Sequence, residues 1–315
     1  MPLRIVFMGT SELACASLGA LFASPEFEVP GVVTQPDRPK GRNLKLQPSP
    51  VKTIAIGAGL PVFQPANARQ PEFLAELAAL HPDLLVVAAY GQILPQSMLD
   101  LPRFGAVNVH ASLLPKYRGA APIQWAILNG DAETGVTIMK MAAGLDTGDI
   151  LSRRSIPILP EDNSATLHER LAILGAELLV PTILDYARGG ITPQPQDEST
   201  ASYASKITKE DGRMDWRKPA TTLWNQVRAF IPWPCAFTWL NENSGRRLLK
   251  IIRATVEKDR RGQAGEILQA DKNGLVVACG QGALRIHELQ LEGGRKMTAA
   301  ELLSGHSLQP GRKIG

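Results

Sequence analysis

Leu84-Leu85-Val86-Val87-Ala88-Ala89 runs without a polar side chain and ends at Tyr90-Gly91. A strand with one face in water alternates apolar and polar residues, whereas a strand covered on both faces reads as a continuous apolar run. The stretch therefore predicts an inner strand of a sheet with helices on both sides. The flanking sequence repeats the pattern. Strands are expected at Leu3–Met8, Glu28–Thr34, Pro61–Phe63, Gly105–His110, Gly135–Met141 and Ile150–Ile158. Helices are expected after a cap at Thr10 or Ser11 through Phe22, over Pro71–Leu80, over Pro122–Asn129 and over Ser164–Arg188. This alternation predicts an α/β fold on a mostly parallel, Rossmann-like sheet.

Residues 193–205 are polar and rich in Pro, Ser and Thr, the composition of a linker. Beyond Lys206 the pattern changes to short apolar runs separated by turn residues: Cys235–Leu240, Leu248–Val256, Gly265–Leu268, Leu275–Ala278 and Ala283–Leu289. Only Thr298–Ser304 reads as helical after them. Five short strands predict a small β-barrel of the oligonucleotide-binding (OB-like) type. The expected organisation is an α/β catalytic domain over 1–192, a linker over 193–205 and an OB-like domain over 206–315.

Composition sets outer limits. Apolar residues make up 44% and charged residues 20% of the 315-residue chain, as in ordinary globular proteins. Charge, Gly or Pro interrupts every apolar run before the roughly 20 residues that cross a bilayer, so no membrane partner is expected. The opening Met1–Met8 run lacks a cleavage site and reads as a strand rather than a signal peptide. Cys15, Cys235 and Cys279 lie far apart, without metal-ligand spacing. They are expected to be small core residues of a cytoplasmic protein, with no metal. Charge is uneven: residues 1–205 hold 15 Lys and Arg against 19 Asp and Glu, whereas 206–315 hold 19 against 11. A basic back half fits a module that meets an anionic polymer. On charge alone, a solvated basic surface fits equally.

Chemistry concentrates in two places. In Asn108-Val109-His110, alternation along a strand sends the amide and the imidazole to the same face. Together they can stabilise a developing oxyanion. Ala143-Gly144-Leu145-Asp146-Thr147-Gly148-Asp149 is a Gly-rich loop between two expected strands. A carboxylate at Asp146 beside His110 would orient the ring and favour its protonated form. The competing readings are a polar strand end and a plain hairpin turn, and the residues alone leave both open. Gly9-Thr10 lacks the remaining glycines of a dinucleotide fingerprint.

Asn-x-His-x-Ser-Leu-Leu-Pro at 108–115, followed by Gly-Leu-Asp-x-Gly-Asp at 144–149, resembles the folate-dependent formyltransferase family. Lys116–Gln124, Thr34–Arg42, Pro48–Lys52, Lys206–Trp216 and Pro232-Trp233-Pro234 extend the likeness over nearly the whole chain, toward the branch that acts on aminoacyl-tRNA. The resemblance implies transfer of the formyl group of 10-formyltetrahydrofolate to the α-amine of methionyl initiator tRNA, by a monomer. It implies that Asn108, His110 and Asp146 are catalytic and that Ser112, Leu113, Leu114 and Pro115 hold the folate. It also implies that Arg42, with Arg38 and Lys45, contacts the tRNA acceptor stem, and that the basic back half contacts its backbone. Two departures are local: Ser11-Glu12-Leu13-Ala14 replaces an expected Pro-Glu-Phe-Ala, and Cys235 stands where Gly is usual. Rival readings are a formyltransferase for a small amine, a folate hydrolase, an inactive tRNA-binding protein and an NAD-dependent dehydrogenase.

Overall fold

The computed structural model describes residues 1–40, 45–242, 245–306 and 308–315. The described chain forms two compact units. The first comprises 1–122, 133–157 and 168–204; the second comprises 123–132, 158–167 and 205–315.

In the first unit the strands are β1 (Leu3–Gly9), β2 (Phe27–Val33), β3 (Arg38–Lys40), β4 (Lys45–Gln47), β5 (Val62–Phe63), β6 (Leu84–Ala88), β7 (Ala106–His110), β8 (Arg118–Gly119), β9 (Glu133–Lys140), β10 (Ile150–Pro157) and β11 (Tyr203–Ala204). Seven of them make one sheet in the order β10-β9-β7-β6-β1-β2-β5. From β5 to β7 all neighbours are parallel, and β9 and β10 close the other edge antiparallel. Parallel neighbours need crossovers. These are supplied by α1 (Glu12–Ala23), α2 (Pro50–Gly57), α3 (Pro71–Ala79) and α4 (Gln96–Leu99). The apolar run that decided the expectation is β6, and all five of its residues are buried. The chain moves outward from β1 to β2 and β5, then returns to lay β6 on the other side of β1. That reversal is the switch point where open α/β sheets bind ligands.

All but the last residue of the stretch 193–205 is part of the first unit. Ile150 and Gln194 exchange backbone hydrogen bonds of 2.8 and 2.9 Å, and Tyr203–Ala204 pairs in parallel with Arg118–Gly119. Its polar composition records its exposure but not these pairings.

The second unit carries β12 (Ala236–Glu242), β13 (Gly245–Glu257), β14 (Ile267–Asp271), β15 (Gly274–Ala278), β16 (Ala283–Leu291) and β17 (Lys296–Thr298). They form a six-stranded antiparallel sheet ordered β12-β13-β16-β15-β14, with β17 on β16. The expected β-rich back half is therefore present. Its core gathers Trp216, Leu249, Ile251, Leu275, Leu284 and Leu289. The Trp216 indole donates to Thr238 Oγ1 at 3.0 Å, so the polar edge of a buried ring is satisfied. Trp233, by contrast, is 56% exposed.

The sequence expectation misses one helix here, α7 (Ala220–Ala229), which follows α5 (Pro122–Leu128) and α6 (Ser164–Ala187) in chain order. Ala220, Leu223 and Val227 form its buried face, but Thr221 and Thr222 weaken the local helical preference. Tertiary bonds hold it: Gln226 Nε2 donates to the Asp211 and Arg213 carbonyls at 2.7 and 3.1 Å. Arg228 Nη1 donates to Leu159 O and Asp162 O at 3.0 and 3.1 Å, tying 158–167 to the rest of this unit. The last helix, α8 (Ala299–Gly305), begins with a reciprocal capping box between Thr298 and Glu301. Cys235 takes φ 69°, a left-handed conformation that Gly adopts without steric cost. No helix among the described residues is long and apolar enough to cross a membrane.

Leu85 is fully buried in β6. Leu85→Ala is expected to lower the unfolding free energy by roughly 2–5 kcal/mol, read from the urea midpoint at unchanged slope.

Candidate active site

Strands β1 and β6 end side by side. Past them, Thr10 Oγ1 and Gln35 Nε2 both donate to the Tyr90 carbonyl at 2.8 Å. A cleft of about 470 Å³ lies beside Thr10 and Ser11, walled by Gln35, Arg38, Gln47 and His168. Asn108, His110 and Asp146 do not line it. They meet instead over β7.

Asn108 and His110 project from the same side of β7, and His110 is only 6% exposed. Strand β9 runs antiparallel to β7, with Lys140 opposite Val107, so the loop to β10 starts level with the early part of β7. It must turn back over the strand to bring Asp146 to its partners. Asp146 lies 3.6 Å from His110 Nδ1 through Oδ2, and 3.5 Å from Asn108 Nδ2 through Oδ1. Both contacts are longer than a normal hydrogen bond. The other ring nitrogen, His110 Nε2, is 2.9 Å from the Tyr117 carbonyl. A carbonyl only accepts, so Nε2 carries a proton and Nδ1 faces the carboxylate.

The Asp146 loop is held tightly. Gly119 N donates to Asp146 Oδ2 at 2.8 Å. Asp146 itself takes φ 53°, a costly region for a residue with a Cβ. Two positions after it, Gly148 presses on β9: a Cβ there would sit 1.7 Å from the Lys140 carbonyl oxygen. Gln196 Nε2 donates to Asp146 O and Gly148 O at 2.8 and 2.7 Å. The same Gln196 accepts through Oε1 from Arg118, whose fully buried guanidinium also pairs with Glu198 at 2.7 Å.

Known proteins resemble the chain over most of its length. The family model described as "Formyl transferase" matches residues 3–183, and "Formyl transferase, C-terminal domain" matches residues 206–307. The chain belongs to the formyl transferase family. A relative from Citrifermentans bemidjiense named methionyl-tRNA formyltransferase is 50% identical, across 99% of this chain and 96% of its own length. One of the same name from Pseudomonas syringae pv. tomato is 52% identical, across 96% of this chain and 95% of its own length. Among solved structures, the sugar 3N-formyl transferase WlaRD aligns with a TM-score of 0.64 at 20% identity, covering 91% of this chain and 98% of that one. HypX from Aquifex aeolicus in complex with tetrahydrofolic acid also gives 0.64 at 20% identity, covering 96% of this chain and 47% of that one. These two likenesses concern the fold.

As a formyl transferase, the protein presents its expected folate segment unevenly. Ser112 and Leu114 are fully buried. Ser112 Oγ donates to Lys116 O at 2.6 Å, and Thr137 Oγ1 bridges Ser112 O and Leu114 N at 2.7 and 3.0 Å. These two residues therefore shape the segment, while the side chains of Leu113 and Pro115 remain partly exposed. Arg38 and Lys45 are exposed on the antiparallel arms β3 and β4, where the sequence shows only a basic loop. Arg42 lies outside the described residues. In the second unit, Arg246 and Lys250 alternate along β13 with the buried Leu249 and Ile251, which puts them on its outer face. Arg253 is paired with Glu288 at 2.8 Å.

Sequence reading missed Tyr117, Gly119, Arg118, Gln196 and Glu198 as parts of the site. The first two contribute backbone atoms, and the rest meet across 78 or more residues. Among the described residues, no three His, Cys, Asp or Glu side chains gather as a metal site.

Gly148→Ala cannot be accommodated without moving the loop from β9. Formyl transfer is expected to fall about 100-fold, the usual effect of a 1 Å misplacement. Circular dichroism of the variant should keep the parent spectrum.

Proposed function

We propose that the protein transfers the formyl group of 10-formyltetrahydrofolate to the α-amine of methionyl initiator tRNA, acting as a monomer in the cytoplasm. The observation that carries this reading is the convergence of Asn108, His110 and Asp146 in a chain about half identical to named methionyl-tRNA formyltransferases along nearly its whole length.

The folate supplies an activated formyl group. This chain offers a fitting place for it: two side-chain donors over β7, beside the partly exposed apolar Leu113 and Pro115. Apolar contact with the flat ring and fixed donors for the carbonyl are what such a ligand needs. When the amine attacks, the formyl oxygen becomes an oxyanion. Asn108 Nδ2 donates to it. His110 Nε2 is committed to Tyr117 O, so the ring nitrogen within reach is Nδ1, on the side of Asp146. Asp146 orients the imidazole and takes part in moving the amine proton, and collapse of the tetrahedral intermediate breaks the bond from the formyl carbon to the folate nitrogen, releasing tetrahydrofolate. Arg38 and Lys45, with Arg42, contact the acceptor stem. The outer face of β13 meets phosphates.

The deciding experiment incubates the purified protein with 10-formyltetrahydrofolate and methionyl initiator tRNA. Formylmethionyl-tRNA should form, and the elongator methionyl-tRNA should react poorly. Formylation of a small amine alone overturns the assignment. Asn108→Ala and His110→Ala should each lower turnover by about 100- to 1,000-fold, the range for loss of one oxyanion donor. Near-parent turnover in both would remove these residues from the mechanism. Affinity for tRNA should fall tenfold or more as salt rises from roughly 50 to 200 mM, because phosphate contacts release counterions. A flat response would speak against phosphate contacts by the second unit.

A further inference from the structure

The segment leading out of the first unit makes contacts that its polar composition does not explain. Arg118 is fully buried, and a guanidinium has donors only. Its Nη1 and Nη2 donate to the two Glu198 carboxylate oxygens at 2.9 and 2.7 Å. Those bonds hold the Glu198 carboxyl below the usual carboxylate range, so it stays charged near neutrality. The Arg118 Nε and Nη2 donate to Gln196 Oε1 at 3.0 and 2.8 Å.

This fixes the orientation of the Gln196 amide. Its oxygen must face the guanidinium, so its NH₂ must face the Asp146 and Gly148 carbonyls. The reverse orientation would set donor against donor and acceptor against acceptor. Both amide atoms are thus saturated, and the two carbonyls they hold bracket Thr147. Gln196 grips the loop where Asp146 adopts its left-handed conformation at φ 53°. On the other side of the carboxylate, Gly119 N sits next in sequence to Arg118 and pairs, through β8, with β11.

We infer that Gln196, set by Arg118 and Glu198, is a positioning residue that holds the Asp146 carboxylate against His110 and Asn108. It touches no reacting atom. It prevents the loop from relaxing to an ordinary backbone conformation, which would swing the carboxylate away from His110. The polar stretch that carries Gln196 and Glu198 therefore belongs to the catalytic architecture of the first unit. This inference rests on Asp146 serving formyl transfer, and Asp146→Ala alone tests that premise.

The test is single-turnover formyl transfer by the full-length protein. Gln196→Met keeps the side-chain length and removes all four hydrogen bonds. Its rate should fall about 10- to 100-fold, while KM for methionyl-tRNA stays within about threefold. In an Asp146→Ala background the same substitution should cost less than about twofold, because the interaction it supports is already gone. A rate near that of the parent, or an equal loss in both backgrounds, overturns the inference. If thermal melting shows Gln196→Met unfolded, Glu198→Gln replaces it. That change, at a 70% exposed carboxylate, loosens Arg118 and should slow transfer about threefold only when Asp146 is present. No loss there also overturns the inference. A full rate in Asp146→Ala by itself would instead remove the catalytic reading of the carboxylate.

Discussion

A strand buried on both faces has no room for polar side chains along its length, so polarity is pushed to where the strand leaves the sheet. β6 obeys this over all five residues, and β7 obeys it until Asn108. Because β1, β6 and β7 are parallel neighbours, Thr10, Tyr90 and His110 emerge at the same edge. The rest of the first unit answers to that arrangement. Backbone groups freed at the strand ends are taken up by side chains, as when Thr10 and Gln35 share the Tyr90 carbonyl.

The antiparallel edge creates a second demand. β9 and β10 bring the chain to the opposite end of β7, so a carboxylate for His110 has to come from a loop that doubles back. Such a loop cannot be held by strand pairing. It is held by close backbone approach at Gly148, by the Gly119 amide on the carboxylate and by the Gln196 amide on the carbonyls. Each of these contacts is directional, and together they sustain an aspartate in a backbone region it would otherwise leave. The buried charge of Arg118 is tolerable for the same reason: Glu198 neutralises it, and Gln196 and Glu198 take its hydrogen bonds.

The second unit solves a simpler problem. Its antiparallel strands bury one face in a common core and leave the other to solvent, so basic residues on β13 can alternate with Leu249 and Ile251 at little cost. A surface of that kind can carry phosphate contacts while the core supplies stability. α7 forms there against its local preference because Gln226 ties it to the preceding turn and Arg228 to a carbonyl 69 residues earlier in the chain.

Periodicity in the sequence determined the inner strands, the α/β alternation of the front half and the β-rich back half, because burial on one or two faces writes itself into residue order. It also determined that Asn108 and His110 share a face, since strand alternation is a local property. Only the tertiary structure decided that Asp146 reaches them, that Ser112 and Leu114 face inward while Leu113 and Pro115 remain partly exposed, and that 193–204 is built into the first unit. Those outcomes depend on hydrogen bonds between residues tens of positions apart, such as Arg118 with Gln196. Composition and spacing carry no record of such pairs, because either partner alone reads as an ordinary polar surface residue.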